Sequence, residues 1–143
     1  MQLTICPYTP ADLPEMVKLF QETLRRVCVK DYTPVQIEAW VGKVDLASWE
    51  KTLAEHTTLL AFDGEALAGF GDIRTDGYLD RLYVRWDLQG QGVGTALCDR
   101  LETAGDFSRV FTEASITARP FFAHRGYQVI QAQQVVRHGI VLQ

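Results

Sequence analysis

The sequence predicts an α/β (α+β) domain in which a central sheet is flanked by helices, and three observations predict it. Apolar residues recur at helical spacing in some stretches and form short strand-like runs in others, and the two kinds alternate along all 143 residues. Turn signals such as Asp63-Gly64, Thr75-Asp76-Gly77 and His138-Gly139 separate the strand-like runs. Finally, Leu82 to Leu97 reads as a strand, a tight turn with glycine at every second position, and the first turn of a helix.

Taken in order, Leu3-Thr4-Ile5 is a short first strand. Thr9-Pro10-Ala11-Asp12 then starts a helix: Thr9 can cap it, Pro10 suits its first position, and Asp12 favours its positive end. Leu13, Met16, Val17, Phe20, Leu24 and Val27 follow at helical spacing. Thr33-Pro34-Val35-Gln36 is a second start, with Gln36 placed to close a capping box ahead of Ile37, Trp40 and Val41. Asp45 caps a third short helix bearing Leu46, Trp49 and Leu53. Thr58–Phe62, Ala66–Ile73 and Tyr78–Val84 form a strand meander. After the glycine turn, a helix is expected from Thr95 to about Ala104, ending near Gly105. Val110–Ser115 is a further strand, and Ala118–His124 a short helix closed by Arg125-Gly126. Tyr127–Val136 and Ile140–Leu142 read as a final hairpin around His138-Gly139. The last strand is short and offers a sheet edge for a second copy to cover, as in a homodimer.

This length suits one domain spanning residues 1–143, without repeat or linker. A net charge of −4 disfavours nucleic acid as a partner, since phosphate contacts call for a basic face. No apolar run is long enough to span a membrane, so none is expected as a partner. Met1–Ile5 has neither the basic flank nor the apolar run of a signal peptide, and the expected location is cytoplasmic. Cys6, Cys28 and Cys98 are scattered and odd in number, as small buried residues in a reducing compartment would be.

The glycine turn carries the chemistry. It directs successive N–H groups into one concavity at the positive end of a helix dipole, which suits a phosphate or pyrophosphate. A P-loop requires Gly-Lys-Ser/Thr, which is absent, and a dinucleotide fingerprint requires Gly-x-Gly-x-x-Gly, whereas Gly90, Gly92 and Gly94 alternate strictly. Gln89-Gly90-Gln91-Gly92-Val93-Gly94 instead fits Gln/Arg-x-x-Gly-x-Gly/Ala, and after Leu82-Tyr83-Val84 it resembles the acetyl-CoA loop of the GNAT (Gcn5-related N-acetyltransferase) superfamily. Ala114 to Tyr127 resembles the later landmark of that family, Asn-x-x-Ala-x-x-Phe-Tyr-x-x-x-Gly-Phe. The resemblance covers essentially the whole chain and implies the GNAT fold: a central mixed, mostly antiparallel sheet, splayed parallel fourth and fifth strands, and helices on both faces.

The resemblance further implies an enzyme that transfers an acetyl group from acetyl-CoA to a primary amine, most simply of a small molecule. Leu82, Tyr83 and Val84 would offer backbone groups to pantetheine, one amide polarising the thioester carbonyl. The cosubstrate loop would be Gln89, Gly90, Gln91, Gly92, Val93, Gly94 and Thr95, with Gln91, Gly92, Gly94 and Thr95 donating amides to the pyrophosphate. Ser115 stands where the family often has Asn beside the pantetheine arm. Phe122 stands where a Tyr commonly protonates the departing thiolate, and it has no proton to give. The thiolate then leaves with little help, or Tyr83 or Ser115 supplies the proton, or the site binds acyl-CoA without turnover. This last option makes the chain a catalytically silent sensor or interaction module.

Two carboxylates are candidate proton acceptors. Asp80 alternates with Leu82 and Val84 and is expected on their face, and Glu113 is expected on the face of Ser115. The competing reading pairs them with surface cations such as Arg81 or Arg109. His56, His124 and His138 read as solvated surface residues, and no pair has metal-ligand spacing, so no metal is expected. Asp31-Tyr32-Thr33, Trp40 and Trp49 either line an acceptor pocket for an aromatic or alkyl amine or pack helices on the sheet.

Overall fold

The computed structural model of the chain describes residues 1–42, 44–129, 135–137 and 140–142. Five strands, β1 (Leu3–Pro7), β2 (Thr57–Asp63), β3 (Ala66–Ile73), β4 (Tyr78–Val84) and β5 (Phe111–Thr112), lie side by side in chain order. Neighbours pair antiparallel from β1 to β4, and β4 pairs with β5 in parallel. Five helices complete this part: α1 (Leu13–Val27), α2 (Pro34–Val41), α3 (Leu46–Glu55), α4 (Val93–Leu101) and α5 (Arg119–His124).

The helix starts follow the local chemistry. Asp12 accepts from the Thr9 amide and hydroxyl, and a 3₁₀ turn over Pro10–Asp12 leads into α1. Thr33 accepts from the Gln36 amide while the Gln36 side chain accepts from the Thr33 amide, a reciprocal capping box at α2. Asp45 accepts from Ser48 N at the start of α3. Capping of this kind contributes about 1 kcal/mol each.

Alternation along the strands divides the core between the two sheet faces. Met16, Phe20 and Leu24 of α1 pack with Ile37, Leu53, Leu60 and Phe70 on one face. Leu59, Ala61, Ala68 and Leu79 meet Val93, Leu97, Cys98 and Leu101 on the other, below α4. Burying each of the larger side chains stabilises the fold by roughly 1.5–3 kcal/mol. Burial also drives the Cys98 thiol up to about 12, so all three cysteines, free among the described residues, include one held firmly as a thiol.

Several boundaries differ from expectation. Helix α4 begins at Val93, two residues early, because Gly92 adopts φ +89° and caps it from the left-handed region, and it ends at Leu101, short of Ala104. Strand β5 shrinks to Phe111–Thr112, and the following residues take up turns before α5. The C-terminal strands β6 (Val135–Arg137) and β7 (Ile140–Leu142) pair antiparallel as a separate ribbon, whereas Tyr127–Val129 is irregular. The expected turn at His138-Gly139, and residues 130–134 of the expected strand, lie outside the described residues.

The sheet positions the site through one interruption. Strands β4 and β5 pair only at Tyr78↔Phe111 and Leu79↔Thr112, with the Thr112 hydroxyl donating to Leu79 O at 2.7 Å. Beyond that point β4 continues to Val84 without a β5 neighbour, so the two strands splay.

Candidate active site

A cleft of about 460 Å³ opens at the splay. Leu82, Tyr83 and Val84 form its β4 wall, and Ser115, Thr117, Ala118, Phe121 and Phe122 its opposite wall. Gly90, Gly92, Val93, Gly94 and Thr95 lie at the loop end, while Thr23, Leu24, Val27, Cys28 and Trp40 reach in from α1, α2 and the turn between them.

The loop is shaped by its own hydrogen bonds. Gln89 Nε2 donates to Val84 O at 2.7 Å, and Thr23 Oγ1 donates to the same carbonyl at 3.2 Å. Gln89 therefore holds the turn that leads from β4 to α4. Gly90 and Gly92 have φ of +73° and +89°, and a Cβ added at either would meet no atom within 4 Å. The concavity in front of them is open, and their backbone conformation strains any other residue. Gly94 serves another purpose: a Cβ there would stand 3.3 Å from the Phe121 ring, so its absence brings α4 against α5. Val93 is buried beneath the loop, Thr95 is exposed on the cleft wall, and Gln91 is exposed beside it.

Ser115 Oγ accepts from Ala118 N at 3.1 Å, forming the turn into α5. Phe122 is buried against Tyr127 and Phe121, with ring centroids 5.0 and 5.1 Å away. A hydroxyl network secures this wall at Tyr127, whose phenol donates to Glu102 Oε2 at 2.6 Å, where Arg125 also forms a two-pronged pair. The hydrogen bond from the Arg125 guanidinium holds Glu102 below the usual carboxylate range. Tyr83 packs edge-on to Phe20 at 4.9 Å, and burial raises its phenol far above the ordinary tyrosine range.

The two candidate carboxylates lie elsewhere. A register shift in the β3–β4 pairing places Ile73 opposite Leu79 and Asp72 opposite Arg81, leaving Asp80 as the extra residue of a bulge. A bulge re-aims a side chain, and the expectation that Asp80 shares the face of Leu82 and Val84 is corrected by it. The Asp80 carboxylate lies 3.4 Å from Arg81 Nη1 and 3.9 Å from His56 Nδ1, on the side of α3. Glu113 is exposed beyond the end of β5, so strand alternation no longer ties it to Ser115. Neither lines the cleft.

The bulge reveals a cluster that separate positions in the sequence concealed. His56 Nδ1 lies 2.7 Å from Asp72 Oδ2, and Arg81 Nη1 donates to that oxygen at 2.8 Å. Arg81 also donates to the Thr52 hydroxyl and lies over the Trp49 ring, 4.7 Å from its centroid. His56 is thus no solvated surface residue: its side chain is 10% exposed and that of Asp72 is 0%. The hydrogen bond to Asp72 raises the His56 pKa, while burial raises that of Asp72 against the pull of His56 and Arg81. The ligand atoms of His56, Asp72 and Asp80 lie within 4.8 Å of one another, but the Arg81 guanidinium already contacts both carboxylates as their cation.

Of the aromatic acceptor candidates, Trp40 lines the cleft and stacks edge-on to Tyr32, whereas Trp49 packs with Phe20 and Phe70 in the core. Tyr32 and Asp31 hold the far wall: Ile116 N donates to the Tyr32 hydroxyl at 2.8 Å, and the Thr117 hydroxyl donates to Asp31 at 2.9 Å. Among the described residues, no helix is long and apolar enough to cross a membrane.

The chain is similar to known proteins in sequence and in fold. The sequence profile of the acetyltransferase (GNAT) domain family matches residues 28–143. The uncharacterized N-acetyltransferase YafP of Escherichia coli (strain K12) is 31% identical over 132 residues, which is 92% of this chain and 85% of that protein. The crystal structure of a Gcn5-related N-acetyltransferase from Rhodopseudomonas palustris superposes with a TM-score of 0.90 at 31% identity, covering 99% of this chain and 91% of the other. The PaiA N-acetyltransferase of Thermoplasma acidophilum, solved in complex with coenzyme A, shares the fold with a TM-score of 0.78 at 17% identity, over 93% and 94% of the two chains.

Proposed function

Because this chain belongs to the GNAT acetyltransferase family, we propose that it transfers the acetyl group of acetyl-CoA to the primary amine of a small molecule. One observation carries the reading: the unpaired edge of β4 ends in a left-handed glycine turn that opens directly onto the N-terminus of α4. An extended pantetheine arm matches the first feature and a pyrophosphate the second. The open space before Gly90 and Gly92 fits the pyrophosphate, with the amides of Gln91, Gly92, Gly94 and Thr95 as donors.

Acetyl-CoA supplies an activated thioester, and the protein supplies position and charge stabilisation. The Arg85 amide donates to Ala68 O of β3, so by alternation the amides of Leu82 and Val84 face the splay and serve the developing oxyanion, while that of Tyr83 faces β3. The remaining acceleration comes from holding amine and thioester together, which contributes about 7–11 kcal/mol when the alignment is good. Thr23 and Gln89 already occupy Val84 O, so the loop needs little rearrangement to receive its ligand.

The test is thiol release from acetyl-CoA over a panel of amines, with calorimetric titration of CoA on the same sample. Turnover on an amine supports the enzyme. Tight CoA binding with no turnover on any amine means a silent binding module, a reading that Phe122 favours, and absence of CoA binding overturns both.

A further inference from the structure

The cleft is lined entirely by residues that carry no charge at neutral pH, as far as the described residues go. Its ionisable side chains are Cys28 and Tyr83, and burial raises both, so each stays neutral. Asp80, Glu113 and Asp31 are not part of the lining: Asp80 is engaged with Arg81, and Asp31 accepts from Thr117 behind the far wall. Toward α1 and α2 the lining is Leu24, Val27, Cys28 and Trp40, an apolar and aromatic surface.

An alkylamine reaches such a cleft almost entirely as an ammonium ion, because a lysine-like amine titrates near pH 10.4 and its free base is well under about 1% of the total at pH 7. Moving that cation from water into a cleft with an uncharged lining is strongly unfavourable, and the carboxylate of Asp31 stands behind that lining, already accepting from the Thr117 hydroxyl at 2.9 Å. A neutral, flat amine incurs no such penalty and gains contact with Trp40.

We infer that the acceptor is a weakly basic aromatic amine that enters the cleft already neutral, with the apolar end at Trp40, Val27 and Leu24 receiving its ring. This rests on the acetyl-transfer reading and gives that reading its substrate class. The chemistry balances without a carboxylate or tyrosine in the wall. The nitrogen lone pair forms the N–C bond, the C–S bond breaks with its electron pair on sulfur, and the proton released by nitrogen ends on that sulfur. The products are an amide and a free thiol. The proton that Phe122 has no means of giving is the one that the acceptor must lose.

The experiment compares 4-methylaniline with benzylamine, which are matched in shape and differ in basicity, by thiol release across pH with acetyl-CoA. In water the alkylamine free base is the stronger nucleophile but is scarce at pH 7, so the cleft is read from the ratio at pH 7 together with the two pH profiles. The expected result at pH 7 is a kcat/KM about tenfold or more in favour of the aniline. The aniline profile should be flat from about pH 6 to pH 9, and the benzylamine profile should climb with its own free-base fraction. A benzylamine preference at pH 7, or an aniline profile that bends with a protein group, overturns this inference while leaving acetyl transfer in place. Release with neither amine nor any other, with CoA bound, overturns the transfer reading as well. Trp40→Leu should raise KM for the aniline severalfold, with CoA affinity unchanged to certify the fold. An unchanged KM removes Trp40 from the acceptor wall and overturns the placement.

Discussion

His56 Nδ1 stands 2.7 Å from Asp72 Oδ2, and Arg81 Nη1 reaches that same oxygen from the other strand at 2.8 Å. One buried carboxylate oxygen thus holds together β3, β4 and the end of α3. Asp72 Oδ1 is buried with no hydrogen-bond partner among the described residues, so the charge depends on the two donors at Oδ2.

The His56 contact makes stability depend on pH. Its pKa is raised in the folded protein, chiefly by the hydrogen bond to Asp72. The folded state therefore binds this proton more tightly than the unfolded chain, whose histidine titrates at about 6.5. The stabilisation is complete below that value and is lost as pH rises through the raised folded value. His56→Gln should lower Tm most at acidic pH, and the gap to the parent should narrow in alkaline buffer. A deficit of constant size across pH would contradict the linkage.

Asp72→Ala leaves Arg81 with Thr52 and the more exposed Asp80 as its polar partners among the described residues. Breaking a buried pair by removing one partner costs about 3–5 kcal/mol. Since Arg81 keeps these two contacts, the lower end, roughly 3 kcal/mol, is expected in urea unfolding. A loss within about 0.5 kcal/mol, the range of ordinary surface changes, would show the cluster to be dispensable.

Glu102 behaves with the opposite sign. Its folded pKa lies below the ordinary value because Arg125 and Tyr127 donate to the charged form. This stabilisation is present above the unfolded value of about 4.3 and is lost as pH falls through the lowered folded value. Glu102→Gln should cost about 1.5–3 kcal/mol near neutrality, as for hydrogen bonds to charged groups, and its Tm should converge on the parent in acid. Divergence in acid would overturn the assignment.

Gly92→Val tests the loop. A left-handed φ costs a branched residue about 1–2 kcal/mol, and the new side chain projects into space that is now open. The fold should persist by circular dichroism, while CoA affinity in calorimetry should fall at least about tenfold, the loss of 1.4 kcal/mol or more. Retained affinity would remove the loop from the cosubstrate site.

Asp80→Asn and Glu113→Gln test the carboxylates. A general base contributes about 10²–10⁴-fold, so a drop of less than about threefold in kcat/KM for a neutral amine is expected of residues outside the wall. A hundredfold loss at either position would restore it as the proton acceptor.

Much of the fold was legible because its signals are local. Thr33 with Gln36, Asp45 with Ser48, and the turn glycines Gly90 and Gly92 act within a few residues, and each appears where the pattern placed it, whereas Gly94 falls inside α4. The splay was legible only through the family resemblance. What the sequence concealed depends on pairing between distant strands. Alternation assigned Asp80 to the face of Leu82, and a single extra residue in the β3–β4 register moved it to the other side. His56 looked solvated because Asp72, sixteen positions later, is invisible as its partner until β3 is placed. Trp40 and Trp49 carry the same helical signal, and only packing separates the cleft wall from the core.

Gly77 lies at the narrow end of the splay, with φ +93° and its carbonyl accepting from Phe111 N at 3.0 Å. A Cβ there would collide with the Arg109 carbonyl, so the two strands touch at this end without room for a side chain. Past Leu79, β4 continues to Val84 with β3 on one edge and no β5 neighbour on the other. With β4 anchored by β3, a side chain at Gly77 would push the Arg109 segment outward, and the wall that follows β5 would be displaced from the end remote from the glycine loop.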